Sequence, residues 1–495
     1  MQLHQIASLL RTSRIVGDGG VHIADVTLDS RQVKQGDLFV CIPGYSHDGH
    51  LFAAKAVESG AASLVVEREL PLAVPQLLVS DARYAAAIIA KHLFHDPSRN
   101  IRMIGITGTN GKTTTSMMIE HILNYVGHKT GLMGTIRTRF DGFVEHASQT
   151  TSDAIALQRM LRRMSDRNMA YCVMEVSSHA LDQGRVLGID FRSAIFTNLT
   201  RDHLDYHKTM EQYIEAKGLL FSRLGNAAEH GPSDRKFAIL NADDPVSTIY
   251  RRQTAAQVIT YGIEHTADVR AEQIQLTPKG TSFFIRSFAG EEQFHSAMVG
   301  KFNVYNMLAA ITAALLEDIP LSLIKEAAAH FPGVEGRVER VEAGQPFTVI
   351  VDYAHTPDGL LHVLHTIKEL SQGRIITVFG CGGDRDATKR SMMGRISAEF
   401  SDFTIITSDN PRSENPATIA ETIASGCLEA DASAKRHEII LDRRLAIKKA
   451  VEMANPEDVV LIAGKGHETV QIINGISVPF DDRAQARAAI EEAKT

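Results

Sequence analysis

Arg102-Met103-Ile104-Gly105-Ile106-Thr107-Gly108-Thr109-Asn110-Gly111-Lys112-Thr113-Thr114-Thr115 reads as a strand, a glycine-rich turn and the start of a helix. Ile101 to Ile106 is apolar enough for a buried strand. From Thr113 to Val126, Met117, Met118, Ile122, Leu123 and Val126 fall on one helical stripe, and Gly127 ends it. A turn that feeds a helix N-terminus aims free backbone N–H groups at one point, where an anion can sit. Lys112 is placed to reach the terminal phosphates of a nucleotide, and the Thr113 hydroxyl to hold magnesium. The spacing is not that of the usual phosphate loop: where a glycine should stand, five residues before Gly111, there is Ile106, and the neighbouring glycines are Gly105 and Gly108.

Downstream, Tyr171-Cys172-Val173-Met174-Glu175 is a buried strand with Glu175 near its carboxyl end, the end that faces the ligand crevice in open α/β sheets. A carboxylate there suits magnesium; the plainer reading is a charge paired with a basic neighbour. Phe191 to Thr197 is a further strand, followed by a dense run of histidines and carboxylates from Asn198 to His207, in which His203 is favoured as functional. Lys217, on a helix from Met210 to Leu220, reads on physics alone as a surface or salt-bridge lysine. Thr150 and Thr151 could simply cap the helix expected from Ala154 to Met164. Asn303 and Asn306 share one helix face and could cap that helix or hydrogen-bond a base.

With 495 residues the chain is too long for one core, so two to four domains are expected. Residues 1 to 98 look like a small α/β unit with strands over Val21–Leu28, Leu38–Ile42 and Ala62–Val66 and a helix over Phe52–Ser59. A polar break at His95–Asn100 closes it. From about 267 to 299 the pattern turns to short alternating strands, with Pro278-Lys279-Gly280 as a turn. After Gly333-Val334-Glu335-Gly336-Arg337, strands and helices alternate five times, the pattern of a doubly wound sheet. Four strand ends carry polar clusters: Asp352–Asp358, Gly380–Asp386, Ser408–Arg412 and Gly464–Glu468. Four at one sheet edge point to a binding crevice.

A net charge of −7 gives no general field for nucleic acid or acidic membrane. Cys41, Cys172, Cys381 and Cys427 form no CxxC pair and read as reduced thiols of a cytosolic protein. The first residues do not have the pattern of a signal peptide. The longest apolar run, Met307–Leu316, is too short to span a bilayer and reads as a buried helix.

Taken together these motifs resemble the Mur ligase family, the ATP-dependent amide-forming enzymes of peptidoglycan precursor synthesis, over nearly the whole chain. Thr107–Thr113 matches the family's own phosphate loop, which accounts for the displaced glycine. Glu175, His203, Asn303, Asn306, Arg337 and Asp352 match residues shared across it. Asp29-Ser30-Arg31, Glu175–His179 and Asp409–Arg412 resemble the branch that adds the third residue of the stem peptide. Asp-Asn-Pro-Arg is the pattern of its meso-diaminopimelate-adding type, from which lysine-adding relatives depart. Ser152 departs from the family, where proline often follows the threonine pair, and so does Gln149.

The resemblance implies an α/β protein of three domains: a UDP-substrate-binding unit at 1–98, a P-loop ATPase-type unit at 99–335 and a Rossmann-like, doubly wound amino-acid-binding unit at 336–495. It implies that ATP is held by Gly108, Thr109, Asn110, Gly111, Lys112, Thr113 and Thr114 with Asn303, Asn306, Arg337 and Asp352. Leu28, Ser30, Thr150, Thr151, Ser177, Gln183 and Arg185 would contact a UDP-N-acetylmuramoyl dipeptide. Arg385, Asp409, Asn410, Pro411, Arg412, Gly464 and Glu468 would bind meso-diaminopimelate. Mg2+ would be held by Thr113, Glu175, His203 and Lys217, the last as a carbamate, and Lys112, Glu175, His203 and Lys217 would be catalytic. The implied reaction joins diaminopimelate to the D-glutamate γ-carboxylate through an acyl phosphate, releasing ADP and phosphate. It belongs to cell-wall biogenesis, and so to cell shape and division. A cytoplasmic monomer is expected, with no nucleic-acid partner and no membrane insertion. Three other readings are a folylpolyglutamate synthase-like ligase, a related ligase adding L-lysine, and a nucleotide-dependent binding protein without turnover. The first gives no reason for the N-terminal unit or for Asp409–Arg412, and the last gives none for Glu175, His203 and Lys217.

Overall fold

The computed structural model describes residues 1–495 except 45–46, 148, 227–230, 232–233, 279, 432–435 and 494–495. Tyr45, Ser46 and Lys279, expected in turns, lie outside the described residues.

Three α/β units follow one another, each built on its own sheet. The first sheet has five strands in the order Arg14–Val16, Gln76–Leu78, Ser63–Val66, Leu38–Val40 and Val26–Thr27. Only Arg14–Val16 runs antiparallel to its neighbour. The strand expected over Val21–Leu28 shrinks to two residues. Upstream of it the backbone is paired elsewhere: Ile23 N donates to Met1 O and Ala24 N to Gly36 O. The expected helix forms over Ala53–Glu58, after a 3-10 turn at Gly49–Phe52 capped by Asp48.

The phosphate-loop strand, Arg102–Thr107, lies inside an 11-stranded sheet, between parallel neighbours Phe191–Phe196 and Tyr171–Glu175. Antiparallel strands extend both edges: Arg137–Phe140 and Phe143–His146 on one, Gly280–Ser287 and Gly290–Ser296 on the other. The glycine- and threonine-rich stretch after residue 130 therefore holds strands, whose sparse apolar residues hid them. The helix Lys112–Tyr125 packs beside Lys301–Leu315 in one core. It is buried continuously from Thr113 to Glu120, wider than the stripe expected, because it is sandwiched between that helix and the sheet.

The third sheet has the order Glu339–Arg340, Thr348–Asp352, Val459–Ala463, Ile375–Phe379, Phe403–Ile406 and His437–Ile439. All five expected strands are there and parallel; the short Glu339–Arg340 adds an antiparallel edge. A hairpin, Val470–Ile473 with Ile476–Pro479, was not foreseen. Helices bury both faces of the sheet, so the four polar clusters emerge together at its carboxyl edge. Among the described residues no helix is long and apolar enough to cross a membrane. All four cysteines are buried free thiols, each pushed up to about 12 mainly by that burial.

Candidate active site

The glycines of the phosphate loop are needed for close approach. Gly108 has φ +152° and a Cβ there would overlap Thr197 Oγ1; Gly111 has φ +85° and a Cβ would overlap Asn306 Oδ1. The loop is braced by the strand end beside it. Thr197 Oγ1 donates to Asn110 O (2.6 Å), Asn110 N donates to Asn198 Oδ1 (2.9 Å), and Thr200 N donates to Thr109 Oγ1 (3.0 Å). Asn198 and Thr200 lie in the Asn198–His207 run without a signal of their own, because loop-bracing hydrogen bonds leave no periodic pattern in sequence. Lys112 Nζ lies at the loop mouth, on the carbonyls of Gly108 (2.9 Å) and Thr109 (2.8 Å).

Glu175 is 1% exposed. Its Oε2 accepts from Thr113 Oγ1 (2.9 Å) and Thr135 Oγ1 (3.0 Å), and its Oε1 from Thr135 N (2.9 Å). Two hydroxyls and a backbone N–H, not a basic side chain, hydrogen-bond it, and Thr135 is a residue that sequence reasoning missed. Among the described residues no group of three or more His, Cys, Asp or Glu side chains could hold a metal ion. Magnesium is nonetheless compatible with Thr113 and Glu175, because it takes one or two protein oxygens and fills the rest of its shell with phosphate and water.

Lys217 overturns its surface reading. It is 1% exposed, donates to Gly108 O (2.8 Å) and lies 4.5 Å from the centre of the Tyr213 ring. Two lysine nitrogens thus converge on one carbonyl oxygen. Burial, with the Lys112 charge adding to it, holds Lys217 well below the ordinary lysine value. His203 stands at the crevice with 41% of its side chain exposed and 3.4 Å from Asp202 Oδ2. Though the ring is partly open to solvent, its crowded surroundings, with His179, Lys217 and Lys112, lower its pKa against the pull of Asp202. Its ring meets those of His179 (4.9 Å) and Tyr213 (6.1 Å) edge-on.

Between the middle and C-terminal units lies a cavity of about 460 Å³ lined by Asn110, Gly111, Thr114, Asn303, Asn306, Arg337 and Asp352, with Tyr353 and Asp358. Asn303 Nδ2 donates to Val299 O (2.8 Å) and Asn306 Nδ2 to Asn303 Oδ1 (3.1 Å), so the pair both ties down its helix start and faces the cavity. Arg337 reaches Thr113 Oγ1 (3.4 Å) and stacks its guanidinium 4.5 Å over Tyr353. Asp352 accepts from Val338 N (2.7 Å) and Ala354 N (2.8 Å). A larger cavity, about 710 Å³, opens behind the linker; of the loop and cavity residues above it shares only Asn303 and Arg337.

The residues expected at the UDP substrate split into two groups. Thr151 Oγ1 donates to Glu175 O (2.9 Å) and accepts from Ser177 N (3.0 Å); Arg185 donates to Thr151 O (2.8 Å), Gln149 Oε1 (2.6 Å) and Gln183 Oε1 (2.7 Å). Thr150 joins Thr135 (3.1 Å). The threonines do not cap the helix; Asp153 does, accepting from Ile155 N and Ala156 N. Leu28 and Ser30 are on the N-terminal unit, which meets the middle unit where Arg159 donates to Asp25 (3.1 Å) and Val26 O (2.9 Å). Among the described residues no side-chain hydrogen bond joins Leu28 or Ser30 to the Thr151–Arg185 group.

At the carboxyl edge of the third sheet Asp409 Oδ2 is buried without a partner among the described residues. Gly464 makes room for it: a Cβ there would come within 2.7 Å. Asn410 Nδ2 donates to Glu468 Oε2 (2.8 Å). Arg412 donates to Gly383 O (2.8 Å), while the carbonyl of Pro411 packs against Gly383. The Arg385 and Arg412 side chains flank Gly382, and burial with the neighbouring Arg385 charge lowers the Arg412 pKa. Two cations that repel and two carboxylates on one rim suit a ligand carrying both charges. Arg201 Nη2 to Thr388 Oγ1 (3.3 Å) and Asn110 Nδ2 to Asp358 Oδ2 (2.9 Å) bring this edge against the phosphate-loop crevice.

Three family models match the chain: the Mur ligase middle domain at residues 106–314, the Mur ligase glutamate ligase domain at 336–466, and the Mur ligase family catalytic domain at 22–98. The chain belongs to the Mur ligase family. Among its relatives, UDP-N-acetylmuramoyl-L-alanyl-D-glutamate--2,6-diaminopimelate ligase of Bacillus cereus is 46% identical over 490 residues, covering 99% of this chain and 98% of that protein. The protein of the same name from Geobacillus thermodenitrificans is 47% identical and covers 100% of both. A solved structure of such a ligase superposes with a TM-score of 0.69 at 32% identity, over 100% of this chain and 99% of that one. Folylpolyglutamate synthase of Mycobacterium tuberculosis, in complex with ADP and AMPPCP, has a TM-score of 0.64 at 16% identity over 82% and 94%, a likeness of fold alone.

Proposed function

We propose that the chain is the ATP-dependent ligase that joins meso-diaminopimelate to the D-glutamate γ-carboxylate of UDP-N-acetylmuramoyl-L-alanyl-D-glutamate, in the cytoplasm and as a monomer. The observation that carries this is the charge pattern at the third sheet's edge: Arg385 and Arg412 beside Asp409 and Glu468, set against a phosphate loop. The names of relatives 46–47% identical over nearly the full length support it. We take 1–98, 99–335 and 336–495 as its three domains, each with its own sheet.

A carboxylate does not condense with an amine in water, because hydroxide leaves poorly. Phosphoryl transfer from ATP makes an acyl phosphate, and the protein contributes position and charge neutralisation. Gly108 to Thr114 hold the phosphates, with Lys112 facing the γ-phosphate, and Asn303, Asn306, Arg337 and Asp352 complete the nucleotide site. When bound, magnesium supplies neutralisation of the phosphate charge; Thr113 and Glu175 would hold one ion, and His203 with a carbamylated Lys217 another. Thr150, Thr151, Ser177, Gln183 and Arg185, with Leu28 and Ser30, present the dipeptide. Arg412 and Arg385 take the distal carboxylate of diaminopimelate, and Asp409 and Glu468 its distal ammonium. The free amine then attacks the acyl phosphate and phosphate leaves.

The test is phosphate release from ATP with UDP-muramoyl dipeptide, with and without meso-diaminopimelate, and with L-lysine in its place. Turnover that needs both the dipeptide and diaminopimelate is expected. Equal rates with L-lysine would move the reading to the lysine-adding type. Turnover with folate substrates, or none at all, would overturn it.

A further inference from the structure

Lys465 is completely buried, yet it carries a cation's three donors and spends them all. Nζ donates to Val470 O (2.7 Å), Glu468 Oε2 (2.9 Å) and Asn410 Oδ1 (3.1 Å). One ammonium therefore ties together three segments: the loop after Val459–Ala463, the Asp409–Arg412 run and the start of the Val470–Pro479 hairpin. Burying an ammonium is costly unless every donor is met and an opposite charge is adjacent, and both conditions hold here.

The consequence falls on Asn410. Its Oδ1 faces two donors, Lys465 Nζ and Ile472 N (2.9 Å), so the amide oxygen must stand on that side and Nδ2 must point at Glu468. Both protein donors then converge on Glu468 Oε2. Among the described residues Glu468 Oε1 makes no hydrogen bond, and Asp409 Oδ2 is likewise unpartnered and buried. One carboxylate oxygen on each residue is kept in reserve.

We propose that Lys465 is a positioning residue for acceptor recognition: it locks Asn410 and Glu468 so that Glu468 Oε1 and Asp409 Oδ2 are left to receive the distal ammonium of the diamino acid. This rests on the acceptor-site reading given under the proposed function. Lys465 touches no substrate; it acts through Asn410 and Glu468. It also fastens the hairpin, whose Ile472 O accepts from Arg412 N (3.0 Å) and whose Gln471 Nε2 donates to Asp409 O (2.7 Å).

The experiment compares Lys465→Met, Glu468→Gln and the double variant in steady-state assays of the full chain, with meso-diaminopimelate and with 2-aminopimelate, which lacks the distal amine. Lys465→Met should raise the diaminopimelate KM tenfold or more, leave the KM values for ATP and the UDP-dipeptide within twofold, and leave the KM for 2-aminopimelate nearly unchanged. The double variant should be no worse than the worse single one, since both changes act on one contact. If Lys465→Met does not fold, Lys465→Arg keeps a cation beside Glu468 and should raise the diaminopimelate KM selectively, though less. Three KM values rising together, an equal loss with 2-aminopimelate, or additive effects would overturn the proposal. A diaminopimelate KM unaffected by Lys465→Met but raised by Glu468→Gln would overturn it while sparing the acceptor-site reading. One unaffected by Glu468→Gln would sink that reading itself.

Discussion

At the scale of single residues, Lys217 departs furthest from what its local sequence suggests. Nothing around it in the Met210–Leu220 stretch separates it from a solvated lysine, yet it is buried with its nitrogen on Gly108 O. Carbamylation needs a neutral amine, and burial beside Lys112 favours that form. Enzyme stripped of carbon dioxide should therefore lose most of its activity and regain it on adding bicarbonate, while Lys217→Gln should be inactive under both conditions; turnover assays check this. Unchanged activity after stripping would remove the carbamate from the mechanism. Arg412 is the second case. Its fork can meet a carboxylate in two parallel hydrogen bonds and a lysine cannot. Arg412→Lys should raise the diaminopimelate KM about tenfold, with the ATP KM unchanged; an unaltered amino-acid KM would count against the role.

Among the elements, the loop after Gln257–Gly262 depends on one carboxylate. Asp243 accepts from Ile263 N (2.6 Å), Glu264 N (2.9 Å), His265 N (2.7 Å) and Tyr305 Oη (2.8 Å). Burial raises its pKa, but these donors outweigh burial and hold it down to about 2. A depressed carboxyl stabilises the fold above its unfolded value near 3.8 and loses that contribution as pH falls through about 2. Asp243→Asn should cost about 2 kcal/mol near neutral pH, and the gap from wild type in urea melts should close as pH falls from about 4 toward 2. A constant gap would show that packing, not charge, sets the cost. This role was not legible in the sequence, since the donors come from residues some twenty and sixty positions away. The strands of the third sheet, by contrast, were legible, because a parallel strand buried on both faces is a continuous apolar run.

For the whole molecule, the linker between the middle and C-terminal units rests on the loop Gly464–Glu468. Gly336 has φ +65°, and a Cβ there would overlap His467 N and Gly466; a Cβ on Gly466 would in turn lie 2.6 Å from Gly336 O. Arg337 then continues into the cavity between the two units. One glycine contact thus connects the linker with the proposed site for the incoming amine. Gly336→Ala should lower kcat at least tenfold and raise the diaminopimelate KM, while affinity for an ATP analogue stays within a few-fold. Small-angle scattering should show a more open particle. A variant with wild-type kcat would separate the linker from catalysis.

What the sequence by itself determined is whatever rests on neighbours along the chain: the strand, loop and helix of Arg102–Thr115, the five parallel strands after Gly336 with polar clusters at their carboxyl ends, and the order of the motifs. Periodicity and glycine punctuation are local, so they are written locally. Only the tertiary structure decided which face of Asn410 meets Glu468, that Lys217 and Lys112 share one carbonyl, and that Lys465 is a buried clamp. Those facts depend on burial and on partners brought in from distant segments, and a charged side chain reads the same in sequence whether it ends in water or in the core.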